Sequence, residues 1–214
     1  LEVLIKLLNI NFIKMKNKLL LSLSAFAIAV FVLSGCAKVP QVEIDNANVA
    51  IQEAQAAGAD IYVPEAFSAL KDSFNVANES IEAKKSKLFK SYKKEKAQLV
   101  AVVTLGSDVK AKTAARIEEL KAEIQNTLTE VGTIVEASKA LIAQAPRGKE
   151  GTTALVAIKA DIATIETSVA EVQAAVGTET FIATLDKAKA VRDQANSIKT
   201  ELETVIEKYK SRRK

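Results

Sequence analysis

Between Leu155 and Val176 a run of apolar residues advances only in steps of three and four: Leu155, Ile158, Ile162, Ile165, Val169, Val172 and Val176. Steps of that size follow the 3.6-residue turn of an α-helix and place all seven side chains along one stripe. Such a stripe is the seam by which a coiled coil or a narrow bundle packs. A strand would need alternation at every second residue, and that pattern appears nowhere in the 214 residues. The same spacing recurs in Phe181, Leu185, Ala188, Ala195, Ile198, Leu202, Val205 and Tyr209, and in Ile117, Leu120, Ile124, Leu128, Val131 and Val135. Leu70, Phe74, Ala77, Ile81, Leu88 and Tyr92, continued by Leu99 and Val102, form a further stripe. The expected fold is all-α, an elongated antiparallel helical bundle or coiled coil.

Helix breakers are few, with seven glycines and three prolines, so those present divide the body. A first helix is expected from about Val42 to Ala57, with Ile44, Ala47, Ile51 and Ala54 on one face. Gly58 ends it, since glycine accepts the left-handed conformation of a helix stop. Pro64 suits the first turn of the next helix. From there the helical period runs for about 80 residues, or about 120 Å if unbroken. The one break within it is Leu105-Gly106-Ser107-Asp108, which either turns the chain or only weakens the helix. Residues 146–151, Pro146 through Gly151, are a turn, and Gly177-Thr178 breaks and recaps the last helix. The body is thus a very long hairpin or, if Gly106 and Gly177 both turn the chain, a four-helix bundle. Small seam residues (Ala47, Ala54, Ala77, Ala188, Ala195) allow close helix approach.

The formal charge of +4 comes largely from the leader. Lys6, Lys14, Lys16 and Lys18, against Glu2 alone, precede Cys36, and the remainder is within one charge of neutrality. A basic isoelectric point therefore gives no argument for nucleic acid. Cys36 is the single cysteine, which excludes an intrachain disulfide and a thiolate metal cluster.

What precedes Cys36 gives it a role. Met15-Lys16-Asn17-Lys18 is a short positive start, and Leu19 to Leu33 follow without a charge, fifteen residues in all. A basic start, an apolar run of about 7–15 residues and small residues at the cut make a secretory signal. A membrane-spanning helix needs about 20 apolar residues, more than this run holds. Leu33-Ser34-Gly35-Cys36 resembles the lipobox of bacterial lipoproteins. The resemblance implies signal-peptidase recognition through Leu33, Ser34 and Gly35, cleavage before Cys36, a thioether lipid on Cys36 and acylation of the new amino terminus. Ala37 in the next position resembles outer-membrane sorting in enterobacterial lipoproteins. The expected organisation is an upstream gene-call extension at 1–14, with translation from Met15, a signal peptide at 15–35, a lipidated tether at 36–43 and a helical body at 44–214.

Two further resemblances concern the body. The segment 43–95, through Ala54-Gln55-Ala56-Ala57-Gly58-Ala59 and Tyr62-Val63-Pro64-Glu65, is similar to an uncharacterised family of small helical envelope lipoproteins. That implies an all-α envelope protein and no known activity. Lys208-Tyr209-Lys210-Ser211-Arg212-Arg213-Lys214 resembles the end of Braun-type lipoproteins, whose last lysine is joined to the peptidoglycan stem peptide. Carried over, the linked residue is Lys214, although this chain is far longer and has an extra Ser-Arg before its end.

Residues suited to catalysis are scarce. Histidine is absent, so neither a Ser-His nor a Cys-His pair can form, and the glycines stand singly rather than in a phosphate loop. Glu118, Glu119 and Glu123 with Lys112 and Lys121 read as a solvated face of i,i+4 pairs. No catalytic, cofactor-binding or metal residue is assigned, and no cofactor beyond the lipid on Cys36 is expected. Lys84, Lys85, Lys87, Lys90, Lys93, Lys94 and Lys96 crowd seven positive charges into thirteen residues, interleaved with Leu88, Phe89 and Tyr92. An exported chain would present them to anionic envelope groups: lipid headgroups, lipopolysaccharide phosphates or peptidoglycan carboxylates. Three functions follow from the sequence. The first is a non-enzymatic, lipid-anchored periplasmic spacer or protein-interaction adaptor facing an envelope protein or peptidoglycan, with a homo-oligomer open to it through its seam. The others are a Braun-type staple through Lys214 and an activator of an envelope hydrolase.

Overall fold

The computed structural model of the chain describes residues 37–145 and 149–211, the side chains of 149–151 excepted. The expectations for residues 1–36, including Leu33, Ser34, Gly35 and Cys36, lie outside the described residues, as do those for 146–148 and 212–214. The fold is all-α. Six helices occur among the described residues: α1 Gln41–Ala56, α2 Ala59–Tyr62, α3 Pro64–Lys85, α4 Lys93–Gln144, α5 Lys149–Ala175 and α6 Phe181–Ser211. Contacts divide the chain into two compact units, between Lys110 and Ala111.

The first unit is built from α1, α3 and the part of α4 up to Lys110. Gly58 ends α1 at a φ of 86°, and Pro64 opens α3 in its first turn. Glu43 pairs with Lys96 at 2.8 Å and Glu53 with Lys110 at 2.7 Å, so α1 and α4 run parallel. The last turn of α3 meets the first turn of α4, which makes α3 antiparallel to both. Ala47 and Ala54 of α1, Phe67, Leu70, Ala77 and Ile81 of α3, and Tyr92, Leu99, Val102 and Val109 fill the core.

Two features of this unit depart from the sequence expectation. Gly106 neither turns nor interrupts the chain, because α4 is continuous through it. A Cβ at Gly106 would lie 2.9 Å from the Ala50 Cβ and 3.2 Å from the Ala50 carbonyl oxygen. The residue is glycine because α1 crosses α4 there. Conversely, the unbroken period expected from Pro64 is interrupted at 86–92, where no glycine or proline stands. Leu88, assigned by its spacing to the buried stripe, is 86% exposed, whereas Tyr92 four residues later is 2% exposed. Burying the Tyr92 ring in the end of the bundle holds the returning chain at this point.

The second unit repeats the arrangement with α4 from Ala111, then α5 and α6. Lys139 reaches Glu166 across α4 and α5 at 2.8 Å, and Lys189 reaches Glu123 across α4 and α6 at 2.8 Å. The seam residues Ile158, Ile162, Ile165 and Val172 are buried, as are Leu120, Ile124, Val131, Leu185, Ala195 and Leu202 of the same unit. Val176 falls outside the seam, 43% exposed, because α5 ends at Ala175. Ala47, Ala54, Ala77, Ala188 and Ala195 are all buried, as close helix packing requires. Hydroxyls at the same interfaces satisfy themselves on the preceding helical turn. Thr127 donates to the Glu123 carbonyl at 2.8 Å and Ser138 to the Ile134 carbonyl at 2.8 Å, so neither is an unpaired buried polar group.

Gly177, at a φ of 89°, turns α5 into α6, and the Thr178 and Glu179 amides donate to the Ala175 carbonyl, each at 3.1 Å. The cap of α6 is Thr180, whose hydroxyl oxygen accepts the Ala183 amide at 3.3 Å. Thr178 instead bonds back to α5. A Cβ at Gly177 would touch nothing within 4 Å, so its substitution isolates the conformational cost. Gly177→Ala is expected to destabilise the protein by about 1–2 kcal/mol, the strain of an L-residue in the left-handed region, read by urea unfolding.

Candidate functional site

The seven lysines gathered by sequence at 84–96 do not line one helix face. They are divided between the end of α3, the connecting turn and the start of α4. The helix dipole favours Lys84 and Lys85 at the C-terminus of α3 and opposes Lys93, Lys94 and Lys96 at the N-terminus of α4. The acid of that first turn, Glu95, offsets the opposition.

Glu95 is 1% exposed, and its two carboxylate oxygens lie 2.7 and 2.9 Å from the Lys84 ammonium. The hydrogen bond from Lys84 holds the Glu95 carboxyl below the ordinary carboxylate value, against burial, which pushes it up. Lys84 also donates to the Ser91 carbonyl at 3.0 Å. Lys90 donates to the Lys85 carbonyl at 3.0 Å, satisfying one of the acceptors that the end of α3 leaves open. Lysine side chains therefore build the turn that a glycine or proline would otherwise mark.

Four of the seven lysines are thus occupied in part or whole. Lys84 is bound to Glu95 and Lys96 to Glu43, whose carboxyl is lowered chiefly by that bond. Lys85 reaches Glu82 at 2.5 Å, and Lys90 holds the turn. Lys87, Lys93 and Lys94 are exposed and make no ion pair among the described residues. At the apex, between the two pinned ends, Leu88 and Phe89 are 86% and 88% exposed. Spacing hid this pair, since a helical period continued through the turn would have buried Leu88.

The remaining candidates resolve into structural roles. Glu118 pairs with Lys121 and Glu119 with Arg116 at i,i+3, while Glu123 crosses to Lys189. Lys208 and Lys210 occupy the last turn of α6. In the second unit a cleft of about 540 Å³ lies between the end of α4 and the start of α5, lined by Ile142, Leu155, Val156 and Ile162. Its Lys139 and Glu166 are bound to each other, and Glu136 joins them at 2.9 Å. Among the described residues no group of three or more His, Cys, Asp or Glu is placed to hold a metal ion.

No protein-family model matches the chain, and neither a curated protein nor a solved structure matches it. The chemistry of the residues themselves is what distinguishes one function from another. The strongest concentration is the lysine-built turn with its apolar apex.

Proposed function

We propose that the protein is a lipid-anchored bacterial envelope lipoprotein, held to the membrane through Cys36 and acting without catalysis as a spacer or protein-interaction adaptor in the periplasm. The observation that carries this reading is the order of residues in the leader. A basic start at Lys16 and Lys18 and fifteen uncharged residues lead to Leu33-Ser34-Gly35-Cys36, the single cysteine of the chain. An all-helical body with paired surface charges is consistent with a spacer or adaptor. Among the described residues no helix is long and apolar enough to cross a membrane. On this reading the lipid on Cys36 supplies the attachment: each buried methylene contributes about 0.8 kcal/mol, and more than one chain is needed for stable residence. Ala37 after the cysteine favours the outer membrane, with the body facing the periplasm.

Labelling cells with a clickable fatty acid tests the anchor. The wild-type chain is expected to take up label and to sediment with membranes, while Cys36→Ser takes up none and keeps its leader. Label retained by Cys36→Ser, or none on the wild type, would overturn the proposal.

A further inference from the structure

Most large apolar side chains that a bundle exposes stand singly. Leu88 and Phe89 are adjacent, almost fully exposed, and held at the apex of a turn whose two ends are pinned by Lys84 and Lys90. In the turn and the helix ends that meet there the free charges have one sign: Lys87, Lys93 and Lys94 are exposed without an ion pair among the described residues, and the acids of those helix ends, Glu82, Glu95 and, in the first turn of α1, Glu43, are each bound to a lysine. The surface is therefore both apolar and cationic, over a span of a few residues. A carbohydrate or peptide polyanion would satisfy the charges and leave the two hydrocarbon side chains in water. An anionic bilayer satisfies both, since side chains of this kind settle at the boundary of headgroups and acyl chains with lysines on the phosphates.

The path of the chain adds a second argument. Ala37 and Val39 pack against the same core that holds Tyr92, and the Glu43–Lys96 ion pair fixes the first turn of α1 beside the first turn of α4. The chain thus arrives from Cys36 at the same end of the first unit that carries the apex.

We propose that the 86–92 turn is a second membrane contact, in which Leu88 and Phe89 enter an anionic phospholipid surface while Lys87, Lys93 and Lys94 bind its phosphates. It deepens the lipoprotein reading and rests on it for the part played by Cys36. The lipid holds the chain at the membrane; the turn sets which end of the first unit faces it.

The chain contains no tryptophan, so Phe89→Trp in the full lipidated protein places a single indole at the apex. Flotation with neutral phosphatidylcholine vesicles reads the Cys36 anchor, and quenching of the indole by brominated lipid reads the turn. Vesicles containing phosphatidylglycerol are expected to shift the emission to the blue and to at least halve it with brominated lipid, whereas neutral vesicles leave it as in water. Adding Lys87→Gln, Lys93→Gln and Lys94→Gln is expected to weaken docking about a hundredfold, at about fivefold per lysine, and to return quenching to the neutral level. A chain that floats with anionic vesicles but keeps a water-exposed, unquenched indole would overturn the proposal, as would lysine-dependent binding to isolated peptidoglycan with no quenching by lipid. A chain that ignores neutral vesicles yet is quenched on anionic ones would support the turn and remove the anchor.

Discussion

Gly106→Val is expected to destabilise the first unit by about 3 kcal/mol, at the upper end of what overpacking a close contact costs. The reason is the atom that the new side chain meets. The Ala50 Cβ at 2.9 Å and the Ala50 carbonyl oxygen at 3.2 Å belong to the α1 backbone and its first carbon, so no flexible side chain can move aside. Relief requires shifting α1, and with it Ala47 and Ala54, both fully buried. Helix propensity works the other way, since valine is the better helix former by a few tenths of a kcal/mol. Gly132, in the same helix, supplies the control: a Cβ there meets nothing within 4 Å. Gly132→Ala is expected to stabilise by about 0.8–1 kcal/mol through propensity alone. Urea unfolding reads both signs, and faster hydrogen exchange in α1 assigns the Gly106 effect to the first unit.

Removing Lys84 is the second large perturbation. Lys84→Met leaves the Glu95 carboxylate 1% exposed and without the ammonium that touches both its oxygens. The expected loss is about 2–3 kcal/mol near neutral pH, the range for a hydrogen bond to a charged group whose partner is left buried. Lys84 is itself 28% exposed, which keeps the figure below that of a wholly buried pair. The pH dependence has a definite sign. Lys84 lowers the folded-state value of Glu95 below its unfolded value, so the stabilisation is complete above the ordinary glutamate pKa of about 4.3 and is lost as the pH falls through the depressed folded value. Lys84→Met removes the cause of the depression and leaves burial to push Glu95 up. The stability gap between wild type and variant should therefore narrow on acidification, as Glu95 becomes neutral in both. Glu95→Gln should remove this part of the pH dependence. Thermal unfolding from neutral pH into the acid range measures all three.

The seams were legible because burial in a narrow bundle follows the helical period closely. Ile158, Ile162, Ile165 and Val172 are buried where their spacing put them. Gly58 and Gly177 were legible as stops because their conformation is a local property, with φ at 86° and 89°. Gly106 was not, since its reason is the approach of Ala50 from another helix, and a break and a close contact look alike in one sequence. The turn at 86–92 was hidden for the opposite reason. Its ends are closed by the side chains of Lys84 and Lys90 rather than by backbone freedom, and residues that bond in this way are indistinguishable from an ordinary charged face. The lysine cluster was visible as composition, but its division into paired and free members depends on Glu95, Glu43 and Glu82. That Phe89 and Leu88 stand outside the bundle follows only once the turn is known.

Anchorage through Cys36 is the claim on which the envelope role depends, and the intact mass of protein extracted from native membranes tests it most directly. The account predicts a chain that begins at Cys36, heavier than its sequence by a thioether-linked diacylglyceryl group and an amide-linked acyl chain, with fragments placing both on that residue. A mass equal to the bare polypeptide, or a mature chain still carrying Leu19 to Leu33, would contradict it.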